Sequence, residues 1–228
     1  LSLEAGQYIG LVKFFREISH LEMFLDGKLY CNTPEYYRLA DAPGISDRNE
    51  SCHISLRAVR NDPEWEMEVS GESVGKVSNF IIRSGRADGW IQCWTVLNFP
   101  KDDQTFDTLI DNFKKLKQEF GPYYIFVNPE NSHKMIDRIK YSLGVDLQAK
   151  QVEYEDYPIL GDSIYKKTLN FSYQNEFRIV FGECKTDDVE PKIFSISKGF
   201  RDIIETNPKI ELTAKSNERD FRFILEHV

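Results

Sequence analysis

Apolar and polar positions along the chain change period several times, and each change predicts an element. Leu11 to Phe15 is a short apolar run with strand character. Ser19-His20-Leu21-Glu22 then offers a capping box, with Ser19 as the expected cap of a helix that Gly27 ends. Lys28 to Asn32 reads as a strand, and Thr33-Pro34 supplies a cap and a first-turn proline for a short helix through Leu39. Asp41 to Glu50 is polar enough to be a loop. Four short strand-like segments follow, Cys52 to Arg60, Trp65 to Ser70, Val77 to Arg83 and Trp90 to Phe99, punctuated by Asn61-Asp62-Pro63, Gly71, Gly75 and Gly85. They predict an antiparallel meander.

Phe106, Leu109, Ile110, Phe113, Leu116 and Phe120 recur at helical spacing and Gly121-Pro122 stops the run. Tyr123 to Val127 is a strand, Ser132 to Leu143 an amphipathic helix ended by Gly144, and Val145 to Tyr154 alternates like a strand. Phe171 to Phe181 is the strongest strand pattern in the chain. A strand near Ile193, a helix at Phe200 to Ile204 and strands at Ile210 to Thr213 and Phe221 to Leu225 complete the expectation. The sum is an α+β fold, a single domain over 1–228 with a twisted, mainly antiparallel sheet flanked by helices.

Composition narrows the classes of function. The 228 residues are long enough for one sizeable core. No apolar run approaches the roughly 18 residues of a bilayer span, and Leu1 to Gly6 lacks a basic flank, so the expectation is a cytoplasmic protein with no membrane partner. A net charge of −8 gives no general attraction for nucleic acid. Cys31, Cys52, Cys93 and Cys184 are scattered, with no Cys-x-x-Cys pair, so reduced thiols and no metal are expected. None of the four histidines has an evident nucleophile beside it, and neither Gly-x-Gly-x-x-Gly nor a phosphate-binding Gly-rich loop occurs.

If Phe171 to Phe181 is one strand, its period of two puts Ser172, Gln174, Glu176 and Arg178 on one face. Such a row either meets water or lines a cleft, where an amide, a carboxylate and a guanidinium could grip a ribose, a phosphate or a developing cation. Three other clusters carry polar chemistry. Ser46-Asp47-Arg48-Asn49-Glu50 reads first as a solvated turn, with Asp47 and Glu50 as hard-cation ligands in the sharper reading. Trp94 in Cys93-Trp94-Thr95 is core or a stacking platform. Tyr154-Glu155-Asp156-Tyr157 and Ile164-Tyr165-Lys166-Lys167 place lysines near the polar strand, on a short helix and solvated in the plainer reading.

The ordered series of Val12-Lys13-Phe14-Phe15, Gly27-Lys28-Leu29-Tyr30-Cys31-Asn32, Ser46-Asp47-Arg48-Asn49-Glu50, Cys93-Trp94-Thr95 and Tyr173-Gln174-Asn175-Glu176-Phe177-Arg178 resembles a family of bacterial and phage proteins with ADP-ribosyltransferase-like features. The resemblance implies NAD as co-substrate and ADP-ribosyl transfer to a protein or nucleic-acid acceptor, in a conflict between bacterium and phage. Gln174-Asn175-Glu176 is similar to the family's Gln-x-Glu pair. That implies Glu176 as the carboxylate that holds the ribose and stabilises the cation, and Gln174 as the residue that orients the acceptor. Arg178, Tyr30, Asn32 and Lys13 are the implied cofactor-binding residues. The chain departs from the family in lacking a Ser-Thr-Ser strand and in offering Lys13 or Arg16 where an arginine is expected. Two other classes stay open: a nucleotide- or protein-binding module without turnover that uses the same cleft, and a metal-dependent nuclease using Asp47, Glu50 and Glu176.

Overall fold

Six strands form the central sheet of the computed structural model, in the order β14-β8-β1-β7-β12-β9, every neighbouring pair antiparallel. The structure describes residues 4–83, 87–156, 163–215 and 220–227. In chain order the elements run β1 (Tyr8–Phe15), α1 (Ile18–Leu25), β2 (Lys28–Cys31), α2 (Pro34–Leu39), β3 (Ile54–Leu56), β4 (Trp65–Val69), β5 (Glu72–Val77), β6 (Phe80–Ile82) and β7 (Asp88–Asn98). Then come α3 (Asp103–Phe120), β8 (Tyr123–Val127), α4 (Pro129–Leu143), β9 (Leu147–Gln151), β10 (Glu153–Glu155) and β11 (Lys166–Thr168). The chain closes with β12 (Glu176–Cys184), β13 (Lys192–Ser195), β14 (Glu205–Thr206), β15 (Ile210–Lys215) and β16 (Asp220–Leu225). Small two-stranded ladders surround the sheet, and of these β10·β11 is parallel. This is a single α+β domain with a mainly antiparallel sheet between helices.

Alternate side chains of β7 feed different cores. Trp94 and Val96 pack with α1 (Leu21, Phe24) and α4 (Met135, Ile139), whereas Leu97 joins α3 (Phe106, Phe113, Leu116) under the β15–β16 hairpin. Ile91 and Cys93 belong to a third, smaller cluster with Val180, Ile164, Tyr165 and Tyr37. The helix ends follow local chemistry. Thr33 Oγ1 accepts from the Tyr36 amide at 3.2 Å and Pro34 opens α2, as the sequence predicts. Asp102 and Thr105 cap α3 reciprocally, and Asn128 caps α4. Gly27 ends α1 at φ 82°, where a Cβ would clash with the Ile196 carbonyl oxygen.

Several local expectations are corrected. α1 starts at Ile18 with Glu17 in the cap position and no side-chain cap, so the Ser19–Glu22 capping box does not form. Residues 200–204 make turns packed through Phe200, Ile203 and Ile204, not a helix. The expected strand from Cys52 to Arg60 is three residues of β3 followed by a 3-10 turn, Ala58–Arg60. The meander is nested instead: β4·β5 is a hairpin, β3 pairs with β6 around it, and β7 leaves to join the main sheet. Gly85 lies outside the described residues.

Phe171 to Phe181 is not one strand. Leu169–Gln174 winds as a 3-10 helix and Asn175 turns the chain at φ 41°, so β12 begins only at Glu176. Asn175 tolerates the left-handed conformation. Its side chain locks the turn, donating to the Val96 carbonyl at 2.8 Å and accepting from Gln151 Nε2 at 2.9 Å. Gln174 therefore reaches the site from a helical turn, not from the face of a strand.

Candidate functional site

The two central strands of the sheet separate partway along. β1 pairs with β7 from Tyr8↔Asn98 to Val12↔Thr95, and from there its remaining residues pair with β8 alone. Farther along β7, Asn32 at the end of β2 takes over, exchanging both backbone hydrogen bonds with Ile91. Between these two pairings, Gln92, Cys93 and Trp94 border a gap. The Lys13 ammonium spans it, donating to the Cys93 carbonyl at 2.9 Å. A cavity of about 210 Å³ opens here, lined by the six residues that the resemblance implies for the site, Glu176, Gln174, Arg178, Tyr30, Asn32 and Lys13, and by Glu50, but not by Asp47.

A buried charge cluster forms one wall. Glu176 and Arg178 share a face of β12, and Arg178 Nε donates to Glu176 Oε1 at 2.5 Å. The other end of the guanidinium makes a two-point contact with Glu50, at 2.5 and 2.7 Å, and also donates to the Ile164 carbonyl. Lys167 Nζ completes the ring, 2.9 Å from Glu176 Oε2 and 2.9 Å from Gln174 Oε1. Gln174 is held at its other end by donation to the Gly44 carbonyl. Two cations thus face two carboxylates, and Glu176 and Arg178 are 2% and 0% exposed.

Burial opposes ionisation of Glu176, but Arg178 and Lys167 outweigh it and hold the carboxyl far below the usual range. Burial also works against the Lys167 charge, yet Glu176 and Glu50 raise its pKa. The Cys93 thiol is pushed up to about 12 by burial and by Glu176, so it stays protonated.

The loop at residues 46–50 and the pair Lys166-Lys167 depart from the plainer reading of the sequence. Asp47 and Glu50 are buried rather than solvated, and Lys167 is buried on β11 rather than exposed on a helix. Tyr157 lies outside the described residues. Of the three carboxylates named for a nuclease, Asp47, Glu50 and Glu176, the latter two are turned to Arg178 and Lys167, and among the described residues no group of three or more His, Cys, Asp or Glu side chains could hold a metal ion.

Asp47 is the strained member. One oxygen accepts from the Asn49 amide at 3.1 Å and the other has no hydrogen-bond partner among the described residues. Burial, with Glu50 beside it, raises its carboxyl to about 6. The folded protein therefore holds this proton more tightly than the unfolded chain, and stability contributed by Asp47 falls as pH rises from about 4 through about 6. Asp47→Asn keeps the acceptor for Asn49. It is expected to stabilise the protein on the order of 1–3 kcal/mol at pH 7 and by much less at pH 4. Urea melts of both proteins at the two pH values check this, and an equal effect at both would remove the titration from the explanation.

The opposite side of the cavity is less satisfied. Gln92 is buried within β7, and neither atom of its carboxamide has a hydrogen-bond partner among the described residues; the same holds for Trp94 Nε1 and Asn32 Oδ1. Tyr30 and Tyr36 stand half-exposed on the lining, and Tyr37 is part-buried, its hydroxyl 4.0 Å from Cys93 Sγ. Gln92, Tyr36 and Tyr37 join the lining without belonging to any of the four polar clusters of the sequence. A glutamine in the middle of Trp90-Ile91-Gln92-Cys93-Trp94 was the available signal, because a buried amide inside an apolar strand needs a partner. Among the described residues no helix is long and apolar enough to cross a membrane. Comparisons with protein-family models, with curated proteins and with solved structures find no match to this chain.

Proposed function

We propose that this cavity is a nucleotide-binding site and that the Glu176–Arg178–Glu50–Lys167 cluster is its rigid wall. One observation carries the reading: the cavity lies where the sheet parts, and the side bounded by Lys13, Asn32, Gln92 and Trp94 has buried polar groups without hydrogen-bond partners among the described residues. Each unpaired buried polar group costs about 1–3 kcal/mol, which a ligand carrying donors and acceptors would recover. Tyr30 and Tyr36 give a flat ring a surface to stack on. Lys13 supplies positive charge for phosphate or sugar oxygens. About 210 Å³ lies below the roughly 300–1,000 Å³ of most small-molecule pockets and suits one ring with its ribose, so NAD would enter by one end. The proposed setting is the cytoplasm, where the four thiols stay reduced.

ADP-ribosyl transfer from NAD to a protein or nucleic-acid acceptor is the second reading, favoured by an ionised Glu176 in the cavity wall. In that reaction nicotinamide leaves with the electrons of its glycosidic bond, and the acceptor forms the new bond to the same carbon. A carboxylate beside the developing cation would help. It ranks second because both Glu176 oxygens already face cations.

The test is a thermal-shift and calorimetric titration with NAD, ADP-ribose, nicotinamide and AMP, beside an assay for nicotinamide release. NAD or ADP-ribose is expected to raise the melting midpoint, by about 2.7 kcal/mol of stability at a hundredfold excess over Kd. Tyr30→Ala and Tyr36→Ala should weaken that shift with little change in the ligand-free midpoint, since both rings are exposed. If no nucleotide moves the midpoint or gives heat, the site reading fails. Release of nicotinamide would promote the second reading.

A further inference from the structure

Two lysines line the same cavity in different electrostatic surroundings. Lys167 sits against Glu176, with Glu50 at 3.9 Å. Lys13 has no carboxylate at ion-pair distance among the described residues, and its ammonium meets the Cys93 carbonyl and the Phe15 and Trp94 rings, whose centroids are 5.8 and 6.0 Å away. Neighbouring environments that push two like groups apart commonly mark different tasks. Lys167 is fixed as a cation. Lys13 is the amine on which the cavity opens, with an apolar flank and no carboxylate at ion-pair distance among the described residues.

We propose that Lys13 is a carbonyl-reactive amine that captures an aldehyde-bearing ligand as an imine. Burial lowers the Lys13 pKa, which enlarges the neutral, nucleophilic fraction near neutral pH. The nitrogen lone pair forms the C–N bond, and the carbonyl oxygen becomes the hydroxyl of a carbinolamine. That oxygen then leaves as water with the two protons the nitrogen gives up, and C=N remains. Aldehyde and amine yield imine and water, with no oxidant or reductant consumed. Cys93 and Tyr37, whose Sγ and hydroxyl lie 4.0 Å apart on the cavity lining, are kept protonated by burial. The Gln92 carboxamide and the Trp94 N–H, without hydrogen-bond partners among the described residues, border the same gap in the sheet and suit a hydroxylated ligand.

The ligand class follows from the nucleotide reading, on which this part rests: a ribose whose anomeric carbon is free opens to an aldehyde, whereas one bonded to a base does not. ADP-ribose therefore qualifies and NAD does not. Glycolaldehyde is a probe of the amine that needs no nucleotide site.

The wild-type chain is incubated with ADP-ribose, NAD or glycolaldehyde in the presence of cyanoborohydride, which reduces an imine to a stable secondary amine, and the modified lysines are located by peptide mass spectrometry. ADP-ribose and glycolaldehyde are expected to label Lys13 ahead of the exposed Lys76 and Lys215, which are 74% and 84% accessible, and NAD is expected to leave it unlabelled. Lys13→Met should lose that adduct alone, while its thermal melt reports that the fold is intact. Glycolaldehyde labelling of exposed lysines with Lys13 untouched would overturn the proposal. If ADP-ribose and NAD bind but neither ADP-ribose nor glycolaldehyde labels Lys13, the reactive amine is wrong and the nucleotide site stands. If glycolaldehyde labels Lys13 while no nucleotide binds, the amine stands and the nucleotide site is wrong.

Discussion

Glu176→Gln is expected to destabilise the protein by about 3–5 kcal/mol, because it leaves Arg178 and Lys167 buried with half of their negative partners gone. For a chain of this length that is a fall of roughly 6–20 °C in melting midpoint. The amide matches the carboxylate in shape, so the loss is electrostatic. An amide nitrogen turned toward either cation would also meet a donor with a donor. The effect should be coupled: Lys167→Met should cost clearly less in the Glu176→Gln background than in the wild type, since the ammonium has already lost its closest carboxylate. Thermal melts of the four proteins of this cycle measure the coupling, with nicotinamide release followed on each. A wild type that releases nicotinamide, beside a Glu176→Gln variant that melts normally and releases none, would make Glu176 a catalytic residue and end its assignment to a structural wall.

Where the chain obeys a single local rule, the sequence anticipates the fold. Thr33-Pro34 opens a helix, the hexad from Phe106 to Phe120 lies on one, and Tyr123 to Val127 is a strand, because capping and hydrophobic period act within a few residues. The break at Asn175 is different. Aromatic residues at 171, 173 and 177 keep the period of a strand through it, and what decides against the strand is the lock of Asn175 onto Val96 and Gln151, 79 and 24 positions away. The site shows the same division. Glu176 and Arg178 are neighbours on one strand face and could be read directly. Glu50 reaches Arg178 across 128 positions, so no local pattern distinguishes it from a solvated loop carboxylate. Lys13 is the instructive case: its candidacy came through a resemblance, whereas its physical distinction, a part-buried ammonium with no carboxylate at ion-pair distance among the described residues, arises only because β1 and β7 part just beyond Val12.

That distinction predicts an effect of opposite sign from Glu176→Gln. Lys13→Met replaces the ammonium with an apolar chain of similar length between the Phe15 and Trp94 rings, and it is expected to stabilise the ligand-free protein by about 1–2 kcal/mol at pH 7. The lost donation to the Cys93 carbonyl offsets part of the gain, since a hydrogen bond contributes about 0.5–1.5 kcal/mol. The pH dependence fixes the cause. The unfolded chain holds the Lys13 proton more tightly than the folded one, so the cost of this lysine is present at low and neutral pH. It disappears as pH rises toward the ordinary lysine value of about 10.4. The stabilisation by Lys13→Met should therefore shrink on going from pH 6 to pH 10. Nucleotide affinity should move the other way, falling about tenfold to a hundredfold, the equivalent of one charge-assisted hydrogen bond. A variant both more stable and weaker in binding would show a residue retained for its ligand at the expense of the fold. A variant that melts earlier than wild type at every pH would instead show that Lys13 holds the parted strands together, and the cavity would lose its principal claim to a ligand.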